Sequence, residues 1–245
     1  MKKILLINSS KRKKSTFFLL RQIMEYLDDY DLEMIHLGDY KISFCRGCEQ
    51  CILVGDCPLA DDCSIILDKI KSADALIIGT PVYLRQITGL LKVFIDRTCS
   101  WYHRSPLIGK PILFATSTAS SGTKETLRYL KDLSLQWGTL YCGSISRNVI
   151  NIEKKHIEKK ELERFLKYVE IKSLDGYKPG LGELMEFNTK KVLASKIIQK
   201  DREYWSDSGY FNSPFFYKCR INVFNRFIAY LFYKILDHYI PDRIN

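Results

Sequence analysis

Turn-forming residues are scarce in this chain. Its 245 residues include 13 Gly and 7 Pro, too few for a fibrous or low-complexity disordered protein. No glycine falls between Ser9 and Thr16, so that loop is neither a G-x-x-x-x-G-K-[ST] nucleotide loop nor a G-x-G-x-x-G dinucleotide loop. No stretch reaches the roughly 18 to 20 apolar residues that a membrane span requires. The nearest approach is FIAYLFYKIL, close to the C-terminus, and membrane attachment is not expected. The start, MKKILLINSS, offers only Ile4 to Ile7 as an apolar run, shorter than a signal-peptide core and followed by no cleavage site. A cytoplasmic location is the expectation. His36, His103, His156 and His238 show no paired ligand spacing, and His103 reads as a surface loop residue. No hydrolase signature surrounds any serine.

What is present suits a packed globular core, with 46% hydrophobic and 27% charged residues. The net charge of +10 would suit nucleic acid or an anionic cofactor. Lys and Arg are spread along the chain, however, and no nucleic-acid motif accompanies them, so nucleic acid is not expected. Cysteine is the unusual residue: five of the eight fall in CRGCEQCILVGDCPLADDC, residues 45–63. In a reducing compartment such clusters hold a metal or do redox chemistry more often than they form disulfides.

KKILLIN reads as a strand buried on both faces, SSKRKKS as a polar loop, and TFFLLRQIMEYLDD as a helix with Phe17, Leu20, Ile23, Met24 and Leu27 at helical spacing. Ser15 or Thr16 stands where a cap belongs. LEMIHL, DALIIGT, KPILFATST and TLYCGSISRNVI follow as strands, with SIILDKIKSA, ITGLLKVFIDRT and TKETLRYLKDLSLQWG as helices between them. This alternation implies an α/β domain over 1–150, a doubly wound five-stranded parallel sheet with helices on both faces. Residues 151–245 read as a helical, aromatic-rich C-terminal extension packed on the domain or on a partner subunit. KKHIEKKELERFLKYVEIKS and ELMEFNTKKVLASKIIQKDREYW form its first two helical stretches, and in the last segment Ile228, Leu231, Phe232, Ile235, Leu236 and Tyr239 share one helical face.

Ligands of doubly wound folds bind beyond the carboxyl ends of the strands. The loop Ser9 to Thr16 joins hydroxyls and cations to a helix start, which suits a phosphate; its alternative is a solvated basic turn with an ordinary helix cap.

Together, INSSKRKKST, the cysteine stretch, IIGTPVYLRQITGLLKVFIDR and ATSTASSG resemble the flavodoxin-like NAD(P)H-dependent FMN reductase family, and within it the iron-sulfur flavoproteins, over roughly residues 1–150. The resemblance implies FMN, its phosphate at Ser10, Arg12, Ser15 and Thr16, and its ring along Pro81, Val82, Tyr83 and Leu84. The loop Thr116, Ser117, Thr118, Ser121 and Gly122 would close on the flavin from the other side. NAD(P)H is the implied co-substrate, with a small-molecule donor and acceptor or a redox protein as partners, and a homodimer or homotetramer is implied. This first loop is shorter than the family's usual one and has Ser9 and Lys14 where glycines are usual. Asp96 and Arg97 read as a surface ion pair.

Cys45, Cys48, Cys51 and Cys57, followed by Pro58, are spaced C-x2-C-x2-C-x5-C, close to a ferredoxin run and to the iron-sulfur flavoprotein motif, which makes them ligand candidates for a [4Fe-4S] cluster. Zinc on the same four thiolates and a vacant loop are the alternatives. Cys63 reads as a buried neighbour, and Cys99, Cys142 and Cys219 as core. The expected function is an FMN-dependent oxidoreductase that reduces a flavin, quinone or similar acceptor. A non-enzymatic electron carrier and a zinc-stabilised binding module remain open.

Overall fold

Ile4, Leu5, Leu6 and Ile7 are each completely buried, as an unbroken apolar run demands when both of its faces meet helices. They form the centre of β1 (Lys3–Asn8) in a computed structural model that describes residues 1–244. Four further strands, β2 (Asp31–His36), β3 (Ala75–Pro81), β4 (Pro111–Thr118) and β5 (Leu140–Asn148), complete a sheet in the order β2-β1-β3-β4-β5. All of its pairings are parallel, with Ile7 opposite both Ile35 and Ile78. The expected flavodoxin-like doubly wound sheet is present. The helices in chain order are α1 (Ser15–Tyr26), α2 (Gln50–Leu53), α3 (Cys63–Ser72), α4 (Gly89–Asp96), α5 (Cys99–His103), α6 (Thr123–Gln136), α7 (Lys159–Glu170), α8 (Leu181–Lys196), α9 (Gln199–Asp207) and α10 (Val223–Tyr239).

Alternate residues of each strand serve opposite faces. Leu5, Ile7, Leu76, Ile78, Ile112 and Phe114 pack with Ile66, Ile70, Leu91, Phe94, Leu130 and Trp137 of the α3, α4 and α6 layer. Ile4, Leu6, Ile77 and Leu113 pack with Leu19, Leu20 and Ile23 of α1 and Leu162 and Phe165 of α7. Each such side chain contributes about 1.5 to 3 kcal/mol by leaving water. At Gly79 a Cβ would stand 2.7 Å from the Leu20 side chain, so the glycine is what lets α1 lie so near β3. The chain leaves β1 one way to β2 and returns across it to β3, which opens a crevice beyond the carboxyl ends of β1 and β3.

The extension begins with a buried tie. Arg147 on β5 donates from Nη1 and Nη2 to the Glu161 carboxylate of α7, at 2.9 and 2.7 Å. A third apolar cluster, Leu184, Phe187, Ala194, Trp205, Phe215 and Ala229, holds the remaining helices together. Residues 183–205 read from sequence as one helical stretch, but the chain breaks between α8 and α9, with Ile198 extended at φ −132° and ψ 121°. The carbonyls at the end of α8 find other partners there: Arg202 Nε donates to Ser195 O at 3.0 Å and the Arg243 amide to Lys196 O at 2.7 Å. The expected apolar face of α10 also divides. Ile228, Phe232 and Leu236 are half-buried, whereas Leu231, Ile235 and Tyr239 are exposed. Among the described residues no helix is long and apolar enough to cross a membrane.

Candidate functional site

At the end of β1, Asn8 is fully buried and shapes the first loop. Its Nδ2 donates to Ser10 O at 3.3 Å, its Oδ1 accepts from the Ser10 amide at 3.1 Å, and Nδ2 stands 2.9 Å from His36 Nδ1. Ser10 Oγ and the Lys14 amide then both donate to Arg12 O, each at 2.9 Å. None of the residues from Ser9 to Lys14 has a positive φ, which is how the loop closes without glycine. No side chain caps α1. Its first-turn N–H groups therefore lack a side-chain acceptor, and Ser10, Ser15, Thr16 and the exposed cations Arg12 and Lys14 line one cavity at that helix start, the setting in which a helix start takes an anion.

The second and third loops are bound to the first. Thr16 Oγ1 lies 2.7 Å from Ser117 Oγ in a buried contact, and the Val82 amide donates to Ser117 O at 2.8 Å. Thr88 caps α4, accepting from the Leu91 amide, and its hydroxyl reaches back to Ser9 O at 3.1 Å. Tyr83 and Gln86 exchange backbone hydrogen bonds at 2.9 Å. Between them Leu84 and Arg85 take φ of 48° and 65°, a left-handed pair that bulky residues adopt only with strain. The turn thereby holds Leu84 99% exposed and Tyr83 half exposed. Gly122, at φ 92°, closes onto it: a Cβ there would stand 2.8 Å from Arg85 Cα. These pieces enclose a cavity of about 280 Å³ lined by Ser10, Arg12, Lys14, Ser15 and Thr16, by Pro81, Val82 and Tyr83, and by Ser117, Ala119 and Val149.

The cysteine loop joins β2 to α3. Cys45, Cys48 and Cys57 are exposed, Cys51 is half-buried, and none is in a disulfide. Among the described residues, no three His, Cys, Asp or Glu side chains gather as ligands of one metal ion. The donor set is nonetheless all thiol on a single loop, the ligand type that iron-sulfur clusters take. Arg97 anchors the loop. Its side chain is 3% exposed; Nη1 pairs with Asp61 at 2.6 Å and donates to Ser43 O at 3.0 Å, and Nη2 donates to Cys57 Sγ at 3.3 Å. Asp61 accepts from the amides of Ser43 and Cys63, at 2.8 and 3.0 Å, closing both ends of the loop. Burial works against the Asp61 charge, yet the hydrogen bonds from Arg97, Ser43 and Cys63 prevail and draw its pKa down to about 2.

Three single-residue expectations change here. Arg97 is not in a surface pair with Asp96, which pairs with Lys92 instead. Cys99 is not core: it is exposed, and it lies near enough to Cys51 that burial first, and then the charge of Cys99, push the Cys51 thiol up. His103 is not a surface loop residue. Its Nδ1 donates to buried Asp201 at 2.7 Å, and burial, followed by the charges of Arg104 and Lys190, holds its pKa down to about 4. Cys142 is buried as expected and Cys219 is half-buried.

The chain matches the NADPH-dependent FMN reductase family over residues 2–156. It belongs to that family. A relative in Archaeoglobus fulgidus named iron-sulfur flavoprotein is 46% identical over 98 residues, 39% of this chain and 48% of its own. The chain thus spans about half the length of that relative. Another of that name, from Clostridioides difficile, is 28% identical over 214 residues, 82% of this chain and 93% of its own. Among solved structures, RosB with bound 8-demethyl-8-formylriboflavin-5'-phosphate superposes with a TM-score of 0.53 at 15% identity, covering 91% of this chain and 92% of its own. That likeness concerns the fold alone, and its reach takes in much of the C-terminal extension.

In this member of the FMN reductase family, Ser10, Arg12, Ser15, Thr16, Pro81, Val82, Tyr83 and Ser117 come together around the cavity. The other residues expected there do not line it. Leu84 projects into solvent. Thr116 is buried with its hydroxyl 2.7 Å from Ser146 Oγ, Thr118 Oγ1 donates to Ser121 O at 3.1 Å and shapes the loop, and Gly122 packs on the turn. Lys14, Ala119 and Val149 were not anticipated. Lys14 belonged to a visibly basic loop, but Val149 arrives only because its amide pairs with Thr118 O at 2.9 Å, a neighbour relation that depends on strand order.

Proposed function

We propose that this chain binds FMN at the β1/β3 crevice and uses it to pass electrons from NADH or NADPH to a flavin, quinone or similar small acceptor or to a redox protein. In the same reading Cys45, Cys48, Cys51 and Cys57 hold a [4Fe-4S] cluster. The observation that carries it is the uncapped start of α1 set among the hydroxyls of Ser10, Ser15 and Thr16 and the cations of Arg12 and Lys14. Membership of the FMN reductase family supports it, and the name of the two relatives supports the cluster.

FMN when bound supplies both two-electron and one-electron chemistry. The protein's part is to bind and orient. The first turn of α1 and its hydroxyls would take the phosphate, and Arg12 and Lys14 would balance its charge. The Thr16–Ser117 contact holds the first and third loops at a constant spacing. Tyr83 and Leu84, held outward by their turn, offer apolar surface that excludes water from a ring laid on them. At the cysteine loop, Arg97 holds Cys57 in place through the Nη2–Sγ hydrogen bond.

The test is a visible absorption spectrum and iron, zinc and flavin analysis of protein purified without oxygen, followed by steady-state NADH and NADPH oxidation. Bound FMN and turnover are expected, with iron and sulfide in equal amounts. Protein that neither retains FMN nor takes it up sinks the proposal. Zinc at one per chain without iron removes the cluster and leaves the flavin reading standing.

A further inference from the structure

The segment that carries Cys51 cannot hold itself in place. Helix α2 has four residues, starts from Glu49 at φ 58° and lacks a side-chain cap, and an isolated turn of that length is unstable in water. Its terminal carbonyls are instead taken by cations from distant elements. Arg104, at the end of α5, donates from Nη2 to Cys51 O at 3.0 Å and to Ile52 O at 2.6 Å. Lys200 of α9 donates to Val54 O and lies over Gly55, where a Cβ would stand 2.9 Å from its Cε. The other end of the Arg104 guanidinium pairs with Asp201, 2% exposed, which also accepts from His103.

We infer that α9 is the clamp that positions Cys51. Lys200 acts directly on the loop, and Asp201 acts through Arg104. The arrangement places two positive charges against the Cys51, Ile52 and Val54 carbonyls at a helix C-terminus, where the dipole favours them. The anion that aims Arg104 is buried, so the guanidinium is fixed in direction. The donors come from either side of the sheet domain's last strand in sequence, so the C-terminal helices are part of the cysteine loop's support. The inference concerns where the thiol stands, and it holds whether the loop carries a cluster, zinc or nothing.

Hydrogen exchange of the full-length protein, with Lys200→Ala, Lys200→Arg and Asp201→Asn compared with the parent, tests it. Removing the clamp should speed exchange of the amides of residues 50–55 by about ten-fold while the first loop and the Tyr83 turn keep their rates. Alkylation of Cys51 by iodoacetamide in chelator-treated protein should speed up in parallel. Lys200→Arg should restore both rates, since a guanidinium can still reach the Val54 carbonyl. Parental exchange and alkylation in Lys200→Ala and Asp201→Asn would overturn the inference. So would loosening shared equally by the first loop and the Tyr83 turn, because α9 would then be general support. Should Asp201→Asn not fold, Lys200→Ala and Arg104→Lys decide between the same two outcomes.

Discussion

Gly122 and Gly143 both occupy the left-handed region, at φ 92° and 113°, but only Gly122 faces backbone at 2.8 Å; around Gly143 the space is open. Alanine at 143 should therefore cost only conformational strain, about 1 kcal/mol, and alanine at 122 about 2 to 3 kcal/mol because the Arg85 backbone must also move. Urea unfolding of the two variants checks the difference, and weaker FMN retention should appear only in Gly122→Ala. Arg97 has a larger effect. Its loss leaves Asp61 as an unpaired charge at 7% exposure, and Arg97→Leu should cost about 3 to 5 kcal/mol. Arg97→Leu combined with Asp61→Asn should recover part of that. Lys190 sets a pH dependence. Burial lowers its pKa from 10.5 to about 8 against the partial relief of Glu186. The folded state thus binds fewer protons than the unfolded chain between those values, and stability from this group rises as pH goes from about 8 to about 10.5. Comparison of the pH profiles of the parent and Lys190→Met isolates the slope, since the tyrosines that titrate higher are common to both.

At the scale of elements, the Tyr83–Gln86 turn holds Leu84 and Arg85 in conformations that Asn and Gly adopt without strain. Leu84→Asn with Arg85→Gly should stabilise the protein by about 1 kcal/mol, since the lost Arg85–Glu125 pair is exposed and worth little. Calorimetry checks the stability. A gain in stability with weaker FMN binding would place the apolar Leu84 on the ring. Most elements were legible because their causes are local: short apolar runs in the strands, helical spacing in α1, and the regular alternation of the two. The gap between α8 and α9 was not, because Arg202 and the Arg243 amide take the terminal carbonyls of α8 from outside that helix. Helices α2 and α5 were equally hidden, being too short to show a period.

Across the whole molecule, the extension has its own apolar cluster, in which Ala229 of α10 meets Leu184 and Phe187 of α8. Deleting residues 221–245 uncovers that cluster, so the truncated chain should aggregate and melt lower, which light scattering and calorimetry would register. Because Lys200 and Asp201 lie outside the deletion, the cysteine loop should loosen less than in Lys200→Ala.

The sequence by itself determined the sheet, its two buried faces and the three loops at its carboxyl edge, since alternation and turn chemistry act over a few residues and repeat along the chain. Which residues of those loops meet, and what anchors the cysteines, only the tertiary structure decided. The Arg97–Asp61 pair spans 36 positions, Arg104–Asp201 spans 97 and Thr16–Ser117 spans 101. Each is a charge or hydroxyl that any solvent-facing position would tolerate, and its worth comes from burial beside one partner, which strand order and helix packing bring about and local pattern does not record.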